Sequence, residues 1–234
     1  MRLLNAIRYD MLFQFRHRFY HAYLVITILY IILLKFLPGT LKPIATIILL
    51  FSDTAALGFF FIGAIILLEK DQHILDCLFV TPLRITEYVL AKIVSLAIIS
   101  LVSSLAIVVF TFGISENLLV FIPGFLCVTS FYTLIGILFS LISKSVNDYF
   151  AKTLVVGLVA AISILPYFSL LKSPIFSLMP TLATLTLIDV LFKAHPRGEI
   201  IFAFCNVGFW LLVTSFFVRR IFNKYILFKA GSVR

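Results

Sequence analysis

The sequence predicts an all-α integral membrane protein, and three observations carry that prediction: its composition, its long charge-free runs and its uneven distribution of Lys and Arg. Of 234 residues, 62% are hydrophobic and 12% are charged, with a mean hydropathy of +1.17, whereas a soluble domain carries about 25% charged residues. So few charges cannot cover the surface of a water-soluble domain this size, and lipid is the natural solvent. No hydrophilic block is long enough to form a separate catalytic domain. A single transmembrane domain over residues 1–234 is expected.

A helix that crosses the hydrocarbon core needs about 20 mostly apolar residues. The charge-free intervals are 16 residues between Arg18 and Lys35, 26 between Lys42 and Glu69 broken only by Asp53, 23 between Lys92 and Glu116, 27 between Glu116 and Lys144, and 19 each between Lys152 and Lys172 and between Glu199 and Arg219. They predict six spans: 22–37, 44–68, 90–113, 118–142, 153–171 and 200–218. A further apolar run, Pro174 to Phe192, contains Pro180 and Asp189. The basic residues argue against its crossing, because cytoplasmic loops collect Lys and Arg. With six spans, fourteen basic residues share the side of the two termini and five (Lys35, Lys42, Lys172, Lys193, Arg197) take the other. The expected location is therefore the cytoplasmic (inner) membrane with both termini cytoplasmic. Residues 172–199 then form an external helical hairpin of two short helices, broken near Pro180 and lying on or dipping into the outer face. The first apolar run starts only at Ala22 and is followed by Lys35, Phe36, Leu37 and Pro38, which is no cleavage site, so no cleaved signal peptide is expected.

Residues 1–20 read as an amphipathic interface helix. Leu4, Ile7, Met11 and Phe15 recur at helical spacing, with Leu12 and Phe19 at the margin, and Arg2, Asn5, Asp10, Arg16 and His17 fall mainly on the other face. Such a helix lies in the membrane interface with its arginines at headgroup level. It serves either as a simple anchor or as an elbow that also touches a cytoplasmic partner.

The loop between the second and third spans, Glu69 to Arg84, is the most informative segment outside the lipid. Asp71 can cap a short helix whose apolar side carries Ile74, Leu75 and Leu78. Pro82 forces Thr81 out of helical geometry, so that Thr81 caps a new helix with Pro82 at its first position. That helix would run through Glu87 and Lys92 into the third span. A short charged helix joined to two spans either merely connects them or passes a push from the cytoplasm into the membrane.

This ordered set resembles the permease subunits of the type-2 ABC-transporter family. The amphipathic N-terminal helix, six spans, Glu69 closing the second span, a short helix, Thr81-Pro82-Leu83, Glu87 and Lys92 match it in order. So does an outer segment with Ser177-Leu-Met-Pro180. Within that family the chain is most similar to permeases of small bacterial drug exporters, including the fluoroquinolone-export type. The resemblance implies that two permeases pair, as a homodimer or with a paralogue. It also implies that each docks a separate ABC ATPase through the coupling segment (Glu69, Asp71, Ile74, Leu75, Leu78, Thr81, Pro82), and that ATP hydrolysis drives export. ATP and Mg would then belong to the partner, with no cofactor in this chain; the sequence contains no Gly-x-x-x-x-Gly-Lys-Ser/Thr phosphate loop.

Other chemistry is sparse. The sequence has no Gly-x-Ser-x-Gly, no His-Glu-x-x-His and no Cys/His set with metal spacing, so neither an enzyme nor a metal site is expected. Cys77, Cys127 and Cys205 form no framework. The net charge of +9 suits anionic headgroups, not nucleic acid. Ser52, Ala56 and Gly63 form a small-residue track on the second span that faces either a second permease or the fifth span. Asp53 is the one ionisable residue well inside a span. It needs water or a partner such as Lys35 or Lys42, and reads either as half of a pair pinning the first two helices or as a polar group lining a substrate cavity. A membrane solute-binding protein or secondary carrier without an ATPase partner is the alternative function, and would call for more intramembrane charge than Asp53 alone.

Overall fold

The computed structural model describes residues 2–72, 74–75, 83–114, 116–162, 164–168 and 174–231, and among these the only regular structure is helical. Helix α1 (Arg2–Arg16) ends at an elbow where Arg18 takes left-handed backbone, φ 62°, and α2 (Phe19–Phe36) departs. Helix α3 (Lys42–Ala56), a π-helical turn (Leu57–Phe61) and α4 (Ile62–Asp71) follow one another without a break. They form a rod of 30 residues, about 45 Å long at 1.5 Å per residue. Then come α5 (Ile85–Phe112), α6 (Leu118–Ile142), α7 (Val146–Ile162), a 3₁₀ turn (Pro174–Leu178), α8 (Pro180–Asp189) and α9 (Arg197–Gly231).

Among the described residues, five stretches are long and apolar enough to cross a membrane: α2, the α3–α4 rod, α5, α6 and α9 over Arg197–Lys224. The fifth span expected at 153–171 takes a different form. Helix α7 starts earlier, because the Ser145 hydroxyl accepts from the Asp148 N–H and the Asp148 carboxylate accepts from the Lys144 N–H, a reciprocal cap. It stops at Ile162, and Ile164 to Phe168 form turns around Pro166, which cannot continue a helix.

Helix α6 is the central post, packed on the π turn, α4, α5, α8 and α9. Its crossing with the α3–α4 rod is close enough that a Cβ on Gly136 would run into the Gly58 carbonyl and one on Gly58 into Tyr132. At the end of the bundle that carries most of the basic residues, hereafter the basic end, α6 is closed by lysines. The Lys70 ammonium donates to the carbonyls of Ser140, Leu141 and Ser143 at 2.6, 3.1 and 3.2 Å, and Lys152 donates to that of Ile142 at 3.1 Å. These are the orphan carbonyls of a helix C-terminus, where the macrodipole favours cations.

At the opposite end, Pro180 starts α8 at its first position. This helix is sunk into the bundle between α3, α6 and α9, with Leu185, Leu187 and Ile188 buried. The indole of Trp210 and the amide of Asn206, both on α9, donate to the carbonyls of Leu178 and Ser177 at 3.0 Å and hold the preceding 3₁₀ turn.

The small-residue track does not survive as one face. Ser52 is exposed, Ala56 half-buried, and Gly63 buried against the Tyr149 ring of α7, which resolves that glycine toward the chain's own seventh helix. The π turn lies between Ala56 and Gly63, and its extra residue rotates the register of everything after it. It also leaves a carbonyl free for a side chain: the Tyr149 hydroxyl donates to Phe59 O.

Candidate functional site

The densest polar assembly in the bundle lies at the basic end, where α1, α4 and α5 meet. Lys92, on α5, puts its ammonium between two carboxylates, Glu69 of α4 at 2.5 Å and Asp10 of α1. Around them, Tyr88 donates its hydroxyl to Glu69 at 2.5 Å, Ser95 donates to Asp10, and the Gln14 amide donates to Asp10 at 2.8 Å and to Ser95 at 2.9 Å. Asp10, Gln14, Glu69, Tyr88, Lys92 and Ser95 are all buried. A buried charge is tolerated only when paired and hydrogen-bonded, and here every charged group is.

Glu69, at the head of the segment expected to dock an ATPase, is turned inward, where Lys92 and Tyr88 satisfy it. Helix α1 leaves Leu4, Leu12 and Phe15 exposed, where lipid would cover them, while Asp10, expected on the polar face, turns with Gln14 toward α5 and meets Lys92.

The remaining coupling residues are placed as follows. Asp71 is the last residue of α4, with Gln72 closing the helix, and the start of the segment it is expected to cap falls at residue 73, outside the described residues. Ile74 and Leu75 are helical, the first partly exposed at 37% and the second buried in the core formed by α4, α5 and α6. Leu78, Thr81 and Pro82 lie outside the described residues. Leu83 and Arg84 are non-helical, and α5 starts at Ile85, later than the expected start at Pro82, because the Arg84 N–H is held by the Glu87 carboxylate at 2.8 Å. From Ile85 the helix is continuous past Glu87 and Lys92 to Phe112. Glu69 and Lys92 thus tie together α4 and α5, the two helices that flank residues 73–82. A cleft of about 1270 Å³ opens among the described residues beside this cluster, bordered by α1, Gln72, Ile74 and Leu83.

Asp10, Gln14, Tyr88, Lys92 and Ser95 were not singled out from the sequence as site residues. The signal was spacing: Asp10 and Gln14 stand at i and i+4, and Tyr88, Lys92 and Ser95 at i, i+4 and i+7.

Asp53, near the middle of the α3–α4 rod, is 4% exposed. Neither Lys35 nor Lys42 pairs with it. It lies eleven residues, about 16 Å, down the helix from Lys42, beyond a lysine's reach, and Lys35 is exposed in the last turn of α2. Two phenols of α2 stand closer: Tyr23 has its hydroxyl beside the carboxylate, and Tyr30 feels its charge. The Tyr23 hydroxyl is the polar neighbour of the carboxylate, the two standing outside close hydrogen-bond geometry.

A third polar group joins α8 to α9 at the opposite end. Asp189 is buried and meets Lys193 at 3.1 Å and His195 Nε2 at 3.3 Å, while His195 Nδ1 meets Glu199 at 3.0 Å. The hydrogen bond that the Lys193 ammonium donates to Asp189 holds it above its ordinary pKa. Among the described residues no cluster of His, Cys, Asp and Glu has the arrangement of a metal site.

Two fluoroquinolones export permease proteins of Mycobacterium tuberculosis, from strains CDC 1551 and H37Rv, are each 31% identical over 192 residues, covering 82% of this chain and 81% of theirs. The profile of the fluoroquinolones export permease protein family matches residues 1–230. The chain is a multi-pass membrane protein of export-permease type, and it belongs to the fluoroquinolones export permease protein family.

Proposed function

We propose that this chain is the transmembrane permease subunit of an ATP-binding-cassette exporter that moves a small amphiphilic, drug-like substrate out of the cell. It pairs with a second permease, and a separate ATPase subunit supplies ATP hydrolysis with its own Mg. In this reading α7 is the sixth crossing; its 17 residues are at the short limit for a span. Both termini face the cytoplasm, and the 3₁₀ turn and α8 form the external hairpin.

The observation that supports the reading best is the Asp10–Lys92–Glu69 cluster. A segment that receives a push from an ATPase moves the bundle only if its stems move together. The cluster ties the last turn of α4, the second turn of α5 and α1 into one unit. Ile74, partly exposed at the head of the segment, is then a contact for the ATPase, with Leu75 supporting it from below.

The test is uptake of norfloxacin into inside-out vesicles that contain the permease and its ATPase subunit. ATP should drive uptake, a non-hydrolysable analogue should not, and an ionophore that collapses ion gradients should leave it intact. Uptake that needs a gradient and not ATP would establish a secondary carrier instead.

A further inference from the structure

We propose that the cleft between α1 and the facing ends of α4 and α5 binds an anionic phospholipid, with the headgroup phosphate at Arg16 and an acyl chain along α1. The inference goes beyond the transport reading and takes from it only that the basic end lies in the cytoplasmic leaflet.

The cleft measures about 1270 Å³ among the described residues, larger than the roughly 300–1,000 Å³ in which drug-sized ligands sit. One wall is a single face of α1, charged at its two ends, Arg2 and Arg16, with Ala6, Tyr9, Leu12 and Phe13 between them. The two arginines stand fourteen positions apart, about 21 Å at 1.5 Å per residue. Leu83 and Ala91 line the cleft from the other side. A long apolar trough with a cation at its end fits a molecule that is apolar along its length and anionic at its head.

The charges agree with that occupant. Three cations line the cleft, Arg2, Arg16 and Lys92, against two carboxylates, Asp10 and Glu69. The carboxylates are buried at its floor, where Lys92 bridges them, whereas Arg2 and Arg16 are exposed. Arg16 pairs with no carboxylate among the described residues. A guanidinium so placed takes a phosphate by two parallel hydrogen bonds. His17 beside it keeps Nδ1 on the Phe13 carbonyl at 2.9 Å, which leaves Nε2 for the same headgroup. Tyr9 and Leu12 are exposed as well as lining the cleft, and Leu4 and Phe15 continue the apolar surface along α1. An apolar helix surface at headgroup depth borders acyl chains, and the cytoplasmic leaflet is the one that holds anionic lipid.

The test uses the full chain, freed of lipid in a neutral detergent. Native mass spectrometry counts bound lipid as phosphatidylglycerol or phosphatidylcholine with the same acyl chains is added. The first phosphatidylglycerol should bind at least about tenfold more tightly than phosphatidylcholine, a difference of about 1.4 kcal/mol. Arg16→Gln should remove most of that preference. Arg8→Gln, which deletes the same charge from the same helix outside the cleft, should keep it. A photoreactive group on the acyl chain should label α1 between Ala6 and Phe13. Neither glycerol 3-phosphate, a headgroup without chains, nor norfloxacin should displace the lipid. Equal affinity for the two lipids, or equal losses in the two variants, would overturn the proposal. So would labels confined to other helices, which would leave the cleft to a cytoplasmic protein, or displacement by either soluble probe, which would assign it to a soluble anion or to the substrate. Binding in detergent needs neither ATP nor a defined orientation, so its failure is distinct from a failure of ATP-driven uptake.

Discussion

Replacing Lys92 by Met removes the only cation of the Asp10–Lys92–Glu69 cluster and nearly conserves side-chain volume. With all three groups ionised the cluster carries one net negative charge; the substitution raises that to two, in a site from which water is largely excluded. Breaking a buried pair by removing one partner costs about 3–5 kcal/mol. Glu69 keeps its Tyr88 donor, and Asp10 keeps Ser95 and Gln14, so the lower end is expected. At about 2–4 °C per kcal/mol for a chain of this size, the detergent-solubilised protein should lose on the order of 10 °C in thermal stability. Asp10→Asn alone leaves a neutral Lys92–Glu69 pair with an amide able to bond Gln14 and Ser95, and should cost within about 1 kcal/mol. The double variant returns the net charge to minus one and should recover part of the loss, a coupling that a double-mutant cycle reads directly. Trypsin should also cut faster at Arg8 and Arg16 in Lys92→Met, because α1 is released. If Lys92→Met melts within about 2 °C of wild type, or Asp10→Asn costs as much, the cluster is not what holds α1 and the coupling stems together.

Ile74→Asp should leave thermal stability close to wild type yet abolish co-purification with the ATPase subunit. Leu75→Asp, which buries a charge in the core, should fail first in thermal stability; association that survives Ile74→Asp would remove the docking role. Gly136→Val should destabilise the fold by several kcal/mol in a melt, since the Gly58 carbonyl occupies the space a side chain needs, whereas Gly157→Val meets nothing nearby and should be close to neutral in the same assay. In a cysteine-free background on intact cells, an impermeant thiol reagent should label Ala194→Cys and spare Gln72→Cys; the reverse pattern would invert the proposed orientation.

Apolar run length reveals the long helices because the cost of exposing backbone to lipid is the same for every sequence, so α2, the α3–α4 rod, α5, α6 and α9 are visible as gaps between charges. Interruptions inside such a run are less visible. Pro166 and the Ser145–Asp148 cap, read together, would have moved the fifth helix to its true place, but the π turn at Leu57–Phe61 has no comparable marker: Gly58 is small because α6 crosses there, and that is a tertiary fact. The turn then displaced Gly63 from the face of Ser52 and Ala56.

The same limit explains the orientation of α1. Amphipathicity assigns a helix its apolar face to the greasy side, and in water that side is the protein. In a bilayer the greasy side includes lipid, so a helix can turn its charges inward wherever the bundle offers a counter-charge and leave its leucines outside. Lys92 is that offer to Asp10 and Glu69, and its place in an otherwise apolar run between Tyr88 and Ser95 shows that α5 has a polar stripe facing other helices. Asp53 has no such lysine within reach. The buried carboxylates therefore differ in kind: Asp10 and Glu69 close a tie between helices through Lys92, whereas Asp53 has only a phenol of α2 beside it.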